Sequence, residues 1–254
     1  MQHLLLRSLQ LLFFIGSASF PNLVIATQTN INVSIVAEEF YPYQYQRDGE
    51  AKGVAVEIVK HIFASNQLTA KIQFYPWPRA LRIAEAAPNT LILSITKSPK
   101  RQPKFYWIGM IDSHELYLWV NKVRWGNHTF SDEQLQKLTI GVPRDGYQHQ
   151  FLKAHPLLAN NAFSVVNTKE QSLSMLAMNR IDAVSGDPKL LSSRMRNIGL
   201  SPDLLLPVKH FPGNNTELYI AMSKNSNPEL VDKLKRTFAA FAKTNKFQQL
   251  INDY

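Results

Sequence analysis

Four polar side chains near one another in the chain carry its most informative chemistry. In SITKSPKR, Ser94 to Arg101, hydroxyls recur at Ser94, Thr96 and Ser98 before a single guanidinium at Arg101. In an extended segment every second side chain points the same way, so the three hydroxyls are expected along one wall. A guanidinium is a planar fork that matches the two oxygens of a carboxylate. The stretch therefore reads as a seat for a small carboxylate, with Pro99 restricting the backbone behind Ser98. A solvated surface arginine would use the same letters, so the surrounding elements have to support the reading.

Three further segments offer polar or flat groups. EEFYPYQY places Phe40 and Tyr41 just beyond an apolar strand-like run, where their rings could cover a ligand or simply fill a core. In PRDGYQ, Asp145, Gly146 and Tyr147 form a turn into a helix whose free backbone N–H groups favour an anion, although an ordinary strand-to-helix turn explains it equally. In RIDAVSGDP, Asp187 precedes Pro188 and is either a helix N-cap or a partner for a ligand ammonium. There is no His-Glu-x-x-His zinc motif, Gly-x-Ser-x-Gly elbow or Gly-Lys-Ser/Thr phosphate loop, and the seven histidines are dispersed. With no cysteine, the chain has no disulfide, thiolate metal site, cysteine nucleophile or lipid-modified cysteine. No cofactor and no metal are expected.

The elements that must position these groups alternate between strand-like and helix-like segments, the signature of α/β architecture. Strands are expected at Ile31 to Ala37, Lys71 to Tyr75 and Leu91 to Ile95, with helices across Val56 to Phe63 and Arg79 to Ala86. Leu116 to Lys122 reads as a strand leaving this set. A second set follows: strand Leu138 to Val142, helix from Tyr147, strand Phe163 to Val166, helix Glu170 to Met178 and strand Ala183 to Gly186. Ser131 with Gln134 resembles a capped helix start. Strand Leu218 to Met222 and a helix from Pro228 to about Thr244 close the chain. Two such sets joined by two crossings predict two lobes around a cleft, and ligands of open α/β sheets bind beyond the carboxyl ends of the strands.

The first residues show Arg7, an apolar run from Leu9 to Ile15 and then small residues, the layout of a secretory signal peptide. Cleavage is expected after Ala26, with Ser19 as the competing point, and the apolar run is too short for the roughly 20 residues that span a bilayer. The net charge of +9 is spread along the chain rather than gathered in a block, so no nucleic-acid partner is expected. Periplasmic export follows.

Taken together, the landmarks resemble the family 3 extracellular solute-binding proteins. They are YPYQY, GVAVE at Gly53 to Glu57, SPKR at Ser98 to Arg101, FYWIGMI, IGVPRDGY, MLAMNRIDAVSGD and the closing ELYIAMSKNSNPELVDKLKRTFAAF. The resemblance implies a type II periplasmic-binding-protein fold, α/β, in which two lobes joined by two hinge strands trap a small solute for an ABC-type importer permease. It implies that Arg101 holds the ligand's α-carboxylate, Ser94 and Thr96 add hydrogen bonds and Asp187 receives the α-ammonium. Asp145, Gly146 and Tyr147 would form the second lobe's anion-binding turn, and WPRAL brings Trp77 and Arg79 near the site. Lys100 stands where the family often has an acid, and Arg144 and Asp145 stand where small residues are common. The expected organisation is a signal peptide over 1–26, lobe 1 over 27–121 and 213–254, and lobe 2 over 122–212, as a monomer that performs no chemistry. Hinges are expected at Val120 to Lys122 and Gly213 to Glu217. Two other functions use the same scaffold: an enzyme resembling cyclohexadienyl dehydratase, with Glu57, Asp187 or His210 as acid or base, and a sensory or scaffolding protein that has lost transport.

Overall fold

The computed structural model describes residues 32–214 and 216–253, so the expected signal segment lies outside the described residues. In chain order the elements are β1 (Ser34–Ala37), β2 (Tyr45–Arg47), β3 (Glu50–Lys52), α1 (Val54–Ser65), β4 (Ile72–Phe74), α2 (Trp77–Ala86), β5 (Thr90–Thr96) and β6 (Phe105–His114). They continue through β7 (Tyr117–Asn121), α3 (Lys122–Trp125), α4 (Asp132–Leu135), β8 (Ile140–Pro143), α5 (Tyr147–Ala154), β9 (Phe163–Val166), α6 (Lys169–Ala177) and β10 (Ala183–Gly186). The last are α7 (Pro188–Asn197), β11 (Leu205–His210), β12 (Thr216–Ser223), α8 (Pro228–Phe241) and α9 (Asn245–Asn252).

The alternating segments build two five-stranded sheets. The first has the order β4-β1-β5-β12-β6, parallel among β1, β4 and β5 and antiparallel where β12 pairs with β5 and β6. The second has the order β11-β7-β10-β8-β9, with β8, β9 and β10 parallel and β7 antiparallel to β10 and β11. We call each sheet with its helices a lobe. Every residue of β5 is buried, as befits a central strand covered on both faces. The helix α8 lies so close to β6 that a Cβ on Gly109 would stand 2.1 Å from the Phe238 ring.

The expected strands and helices form, and several further elements add to or depart from them. The aromatic run after Arg101 is a full strand, β6, and the β2–β3 hairpin, β11, α7 and α9, which the sequence reading left unassigned, form as well. The strand expected to close the first lobe, β7, is hydrogen-bonded within the second sheet, so the chain leaves the first sheet at residues 115–116 rather than at 121. Val120 to Lys122 therefore lie in and just after a second-sheet strand, which corrects the expected first hinge. The return passes between His210 of β11 and Thr216 of β12, at the other expected crossing.

Candidate functional site

The carboxyl ends of strands from both sheets converge on one cavity of about 100 Å³. Glu38 follows β1, Thr96 ends β5, Gly146 and Tyr147 follow β8, and Asp187 follows β10; all of them line it. This is the placement that open α/β sheets give to ligands.

Arg101 is the deepest of the expected residues. It is 3% exposed and lines the cavity. Its Nη1 donates to the Thr96 carbonyl at 3.1 Å, Nη2 donates to the Asp145 carbonyl at 2.9 Å, and the guanidinium lies 5.0 Å from the centre of the Trp77 ring. Its buried Nε has no hydrogen-bond partner among the described residues. Burial lowers the Arg101 pKa to about 10, with Glu38 opposing the shift, so the side chain stays charged at neutral pH.

A bulge in β5 sets the hydroxyl wall. Leu93 and Ser94 together oppose Ile220 of β12, and Ser94 adopts a left-handed φ of 51°. Ser94 and Thr96 line the cavity, and Ser94 Oγ also donates to Gln44 Oε1 at 2.6 Å. Ser98 is buried beyond the strand end and does not line the cavity, because the alternation that would align it stops with the strand.

Phe40, Trp77, Gly146, Tyr147 and Asp187 join Arg101, Ser94 and Thr96 around the cavity, whereas Tyr41, Arg79 and Asp145 do not. Tyr41 packs on Tyr45 at 4.9 Å between ring centres. Arg79 is exposed, with its guanidinium 4.5 Å from the centre of the Tyr75 ring, and lines a separate surface groove with Arg82 and Arg144. Asp145 contributes its backbone carbonyl, which accepts from both Arg101 Nη2 and Trp77 Nε1, the latter at 3.1 Å. Asp187 is the N-cap of α7, its Oδ1 accepting from Leu190 N–H at 3.1 Å, and it also lines the cavity. Of the other expected acid–base groups, Glu57 is exposed and paired with Lys60 at 2.7 Å, and His210 stacks on Tyr117; neither lines the cavity.

The structure adds four ionisable residues that the sequence reading passed over. Glu38, the first residue after β1, points into the cavity and has no hydrogen-bond or ion-pair partner among the described residues. Burial pushes its pKa up to about 7; Arg194 and Arg101 pull it down and Glu170 adds to the rise. Lys169 opens α6 and is buried, with Nζ donating to the Ser185 carbonyl at 2.8 Å. Burial, helped by Arg194 and opposed by Glu170, brings it down to about 7. Arg194 is held by Glu170, Nε to Oε1 at 2.7 Å, and its guanidinium lies 4.7 Å from the centre of the Phe40 ring in the other lobe. His114 ends β6, with Nδ1 3.8 Å from Asp187 Oδ1 across the cleft. Burial holds its imidazole below the ordinary value although Asp112 and Asp187 favour the charged form.

His114 is positioned by an aromatic loop. Tyr43 is fully buried; its hydroxyl donates to Asp112 Oδ2 at 2.7 Å and is in hydrogen-bond contact with His114 Nε2. The loop docks on the start of α1, where Ala55 N–H donates to the Tyr43 carbonyl at 2.8 Å. Gly53 permits that approach, since a Cβ there would stand 2.5 Å from the Pro42 and Tyr43 carbonyl oxygens and its φ is 117°.

The described residues contain no group of three or more His, Cys, Asp or Glu side chains that could hold a metal ion. None of their helices is long and apolar enough to cross a membrane.

Residues 33–254 match the sequence model of the bacterial extracellular solute-binding proteins, family 3. A search among curated proteins found no match. Among solved structures, a histidine kinase sensor domain with similarity to periplasmic binding proteins is 16% identical, over 89% of this chain and 96% of that one, with a TM-score of 0.75. An amino acid ABC transporter substrate-binding protein from Streptococcus pneumoniae, bound to L-arginine, is 19% identical over 87% and 93%, with a TM-score of 0.72. An ancestral amino-acid-binding protein, described as a precursor of cyclohexadienyl dehydratase, is 14% identical over 87% and 94%, with a TM-score of 0.73. The shared architecture is the type II periplasmic binding fold.

Proposed function

The chain belongs to the bacterial extracellular solute-binding proteins, family 3, and from that membership we propose that it captures a small amino-acid-like solute in the cavity between its lobes and hands it to an ABC-type importer. The observation that carries this reading is Arg101, a buried guanidinium that lines the cavity between the lobes and whose Nε has no hydrogen-bond partner among the described residues. A carboxylate placed there is shielded from water, where a charge-assisted hydrogen bond is stronger than at the surface. Ser94 and Thr96 supply hydroxyls beside it, and Glu38 and Asp187 are the acids available to a ligand ammonium. Lobe closure and ligand capture are then one event, because the cavity walls come from both sheets. Export to the periplasm through a cleaved signal segment, and action as a monomer, complete the proposal.

Native mass spectrometry of freshly purified protein, followed by a thermal-shift screen of amino acids and small carboxylates, tests it. A co-purifying or stabilising amino acid is expected, and Arg101→Ala is expected to abolish the stabilisation. Full affinity in that variant would remove Arg101 from the site. Conversion of a bound solute to product, followed by NMR, would replace a binder with an enzyme.

A further inference from the structure

The ionic groups around the cavity divide into those with a side-chain or capping partner in the protein and those without. Arg194 is neutralised by Glu170 at 2.6 Å. Asp187 caps α7 and faces His114, and Glu115 accepts from the Tyr117 hydroxyl at 2.9 Å. Two cations and one acid remain. Arg101 and Lys169 donate only to backbone carbonyls, and Glu38 has no partner among the described residues. An ammonium carries three donors and Lys169 uses one of them. Its sequence neighbour Glu170 does not serve it, because that carboxylate is taken by Arg194. Burying a cation without a counter-charge is unfavourable, so such a group lining a ligand cavity is suited to an anionic group on the ligand.

We propose that Lys169 is the seat of a second acid group on the solute, so that the ligand is an acidic α-amino acid: one carboxylate on Arg101, a second on Lys169 and the ammonium facing Glu38. Such a ligand supplies two negative charges and one positive charge, the complement of the three unneutralised groups. Gln148, whose Oε1 accepts from Ser185 Oγ at 3.2 Å on the same lobe as Lys169, lines the cavity and supplies a further polar contact at that end. The inference rests on the reading of Arg101 as the first carboxylate's partner.

The test is isothermal titration of the purified protein with L-glutamate, L-aspartate, L-glutamine and L-arginine, repeated on Lys169→Met and Lys169→Gln. At least one of the two acidic amino acids is expected to bind tenfold or more tighter than glutamine. Either substitution is expected to narrow the difference in affinity between that acidic amino acid and glutamine to less than threefold. Glutamine or arginine binding as tightly as both acidic ligands would overturn the inference, as would a glutamate-to-glutamine ratio unmoved by the substitutions. In those cases Arg101 would still be engaged, and loss of binding in Arg101→Ala would show that the broader reading survives. If none of the four ligands binds, the inference falls, and the wider thermal-shift screen decides the proposed function. Should the Lys169 variants fail to fold, the ranking of the four ligands on the unaltered chain decides.

Discussion

Arg101, on the first lobe, donates through Nη2 to the backbone carbonyl of Asp145 on the second at 2.9 Å, and Trp77 Nε1 donates to the same oxygen at 3.1 Å. The guanidinium proposed to hold the ligand thus also ties the lobes together. Under the proposed function, that side chain would couple occupancy of the cavity to its closure. The turn offering that carbonyl takes a left-handed backbone conformation at Asp145 itself, whose φ is 55°.

Trp77→Phe separates the two roles. It keeps an aromatic ring beneath Arg101 but removes one donor to the Asp145 carbonyl. A single hydrogen bond of this kind contributes about 1 kcal/mol, so roughly fivefold weaker ligand binding is expected, read by calorimetry, with the dissociation rate carrying most of the change. Unchanged affinity would mean that the interlobe bond does not contribute to capture.

Asn and Ala distinguish the helix cap at Asp187 from the ammonium contact proposed for it. Asn caps a helix about as well as Asp, whereas Ala loses the Oδ1 bond to Leu190 N–H and about 1 kcal/mol of stability. Asp187→Asn is therefore expected to melt like the unaltered protein yet bind an ammonium-bearing ligand more weakly; Asp187→Ala is expected to lose both. Thermal melts with and without ligand read the two effects separately.

The strand-end rule made much of this site legible from sequence. It led to Phe40, Thr96, Gly146, Tyr147 and Asp187, all of which line the cavity. It also applied to Glu38, the residue immediately after β1, which the neighbouring aromatics obscured. Arg79 misleads for a geometric reason: it stands two residues after Trp77 on α2, about 200° around the helix, so a buried Trp77 sends Arg79 to the outside. Lys169 and Arg194 were not legible. On α6 and α7 they read as solvated charges, and only the packing of those helices beside β10 turns them inward.

The two groups near 7 predict a bell-shaped pH profile for an acidic amino acid. Glu38 faces Arg194, Glu170 and Arg101; Lys169 faces Arg194, Glu170 and the Ser185 carbonyl. The ligand ammonium favours ionised Glu38, whose free pKa is about 7, so binding releases a proton below pH 7 and affinity rises as pH climbs toward it. The second carboxylate favours charged Lys169, also near 7 when free, so binding takes up a proton above pH 7 and affinity then falls. Titrations in buffers of different ionisation enthalpy are expected to show proton release at pH 6 and uptake at pH 8. Glu38→Gln is expected to flatten only the acid limb, and Lys169→Met only the alkaline one.

The same lysine sets a trade between stability and capture. Its pKa is about 7 in the folded chain against 10.5 when unfolded, a depressed value for a base. Below pH 7 both states are charged and the folded state bears the full burden of the buried ammonium; the burden shrinks as pH rises from 7 toward 10.5, where both states become neutral. Replacing Lys169 with Met removes that burden and fills the space with an apolar chain. The ligand-free variant is expected to be more stable by a few kcal/mol at pH 6, roughly 5 °C or more in melting temperature, with the gain diminishing by pH 9. Loss of stability at pH 6, or a gain independent of pH, would mean that the ammonium is already compensated inside the protein and is not waiting for a ligand's charge.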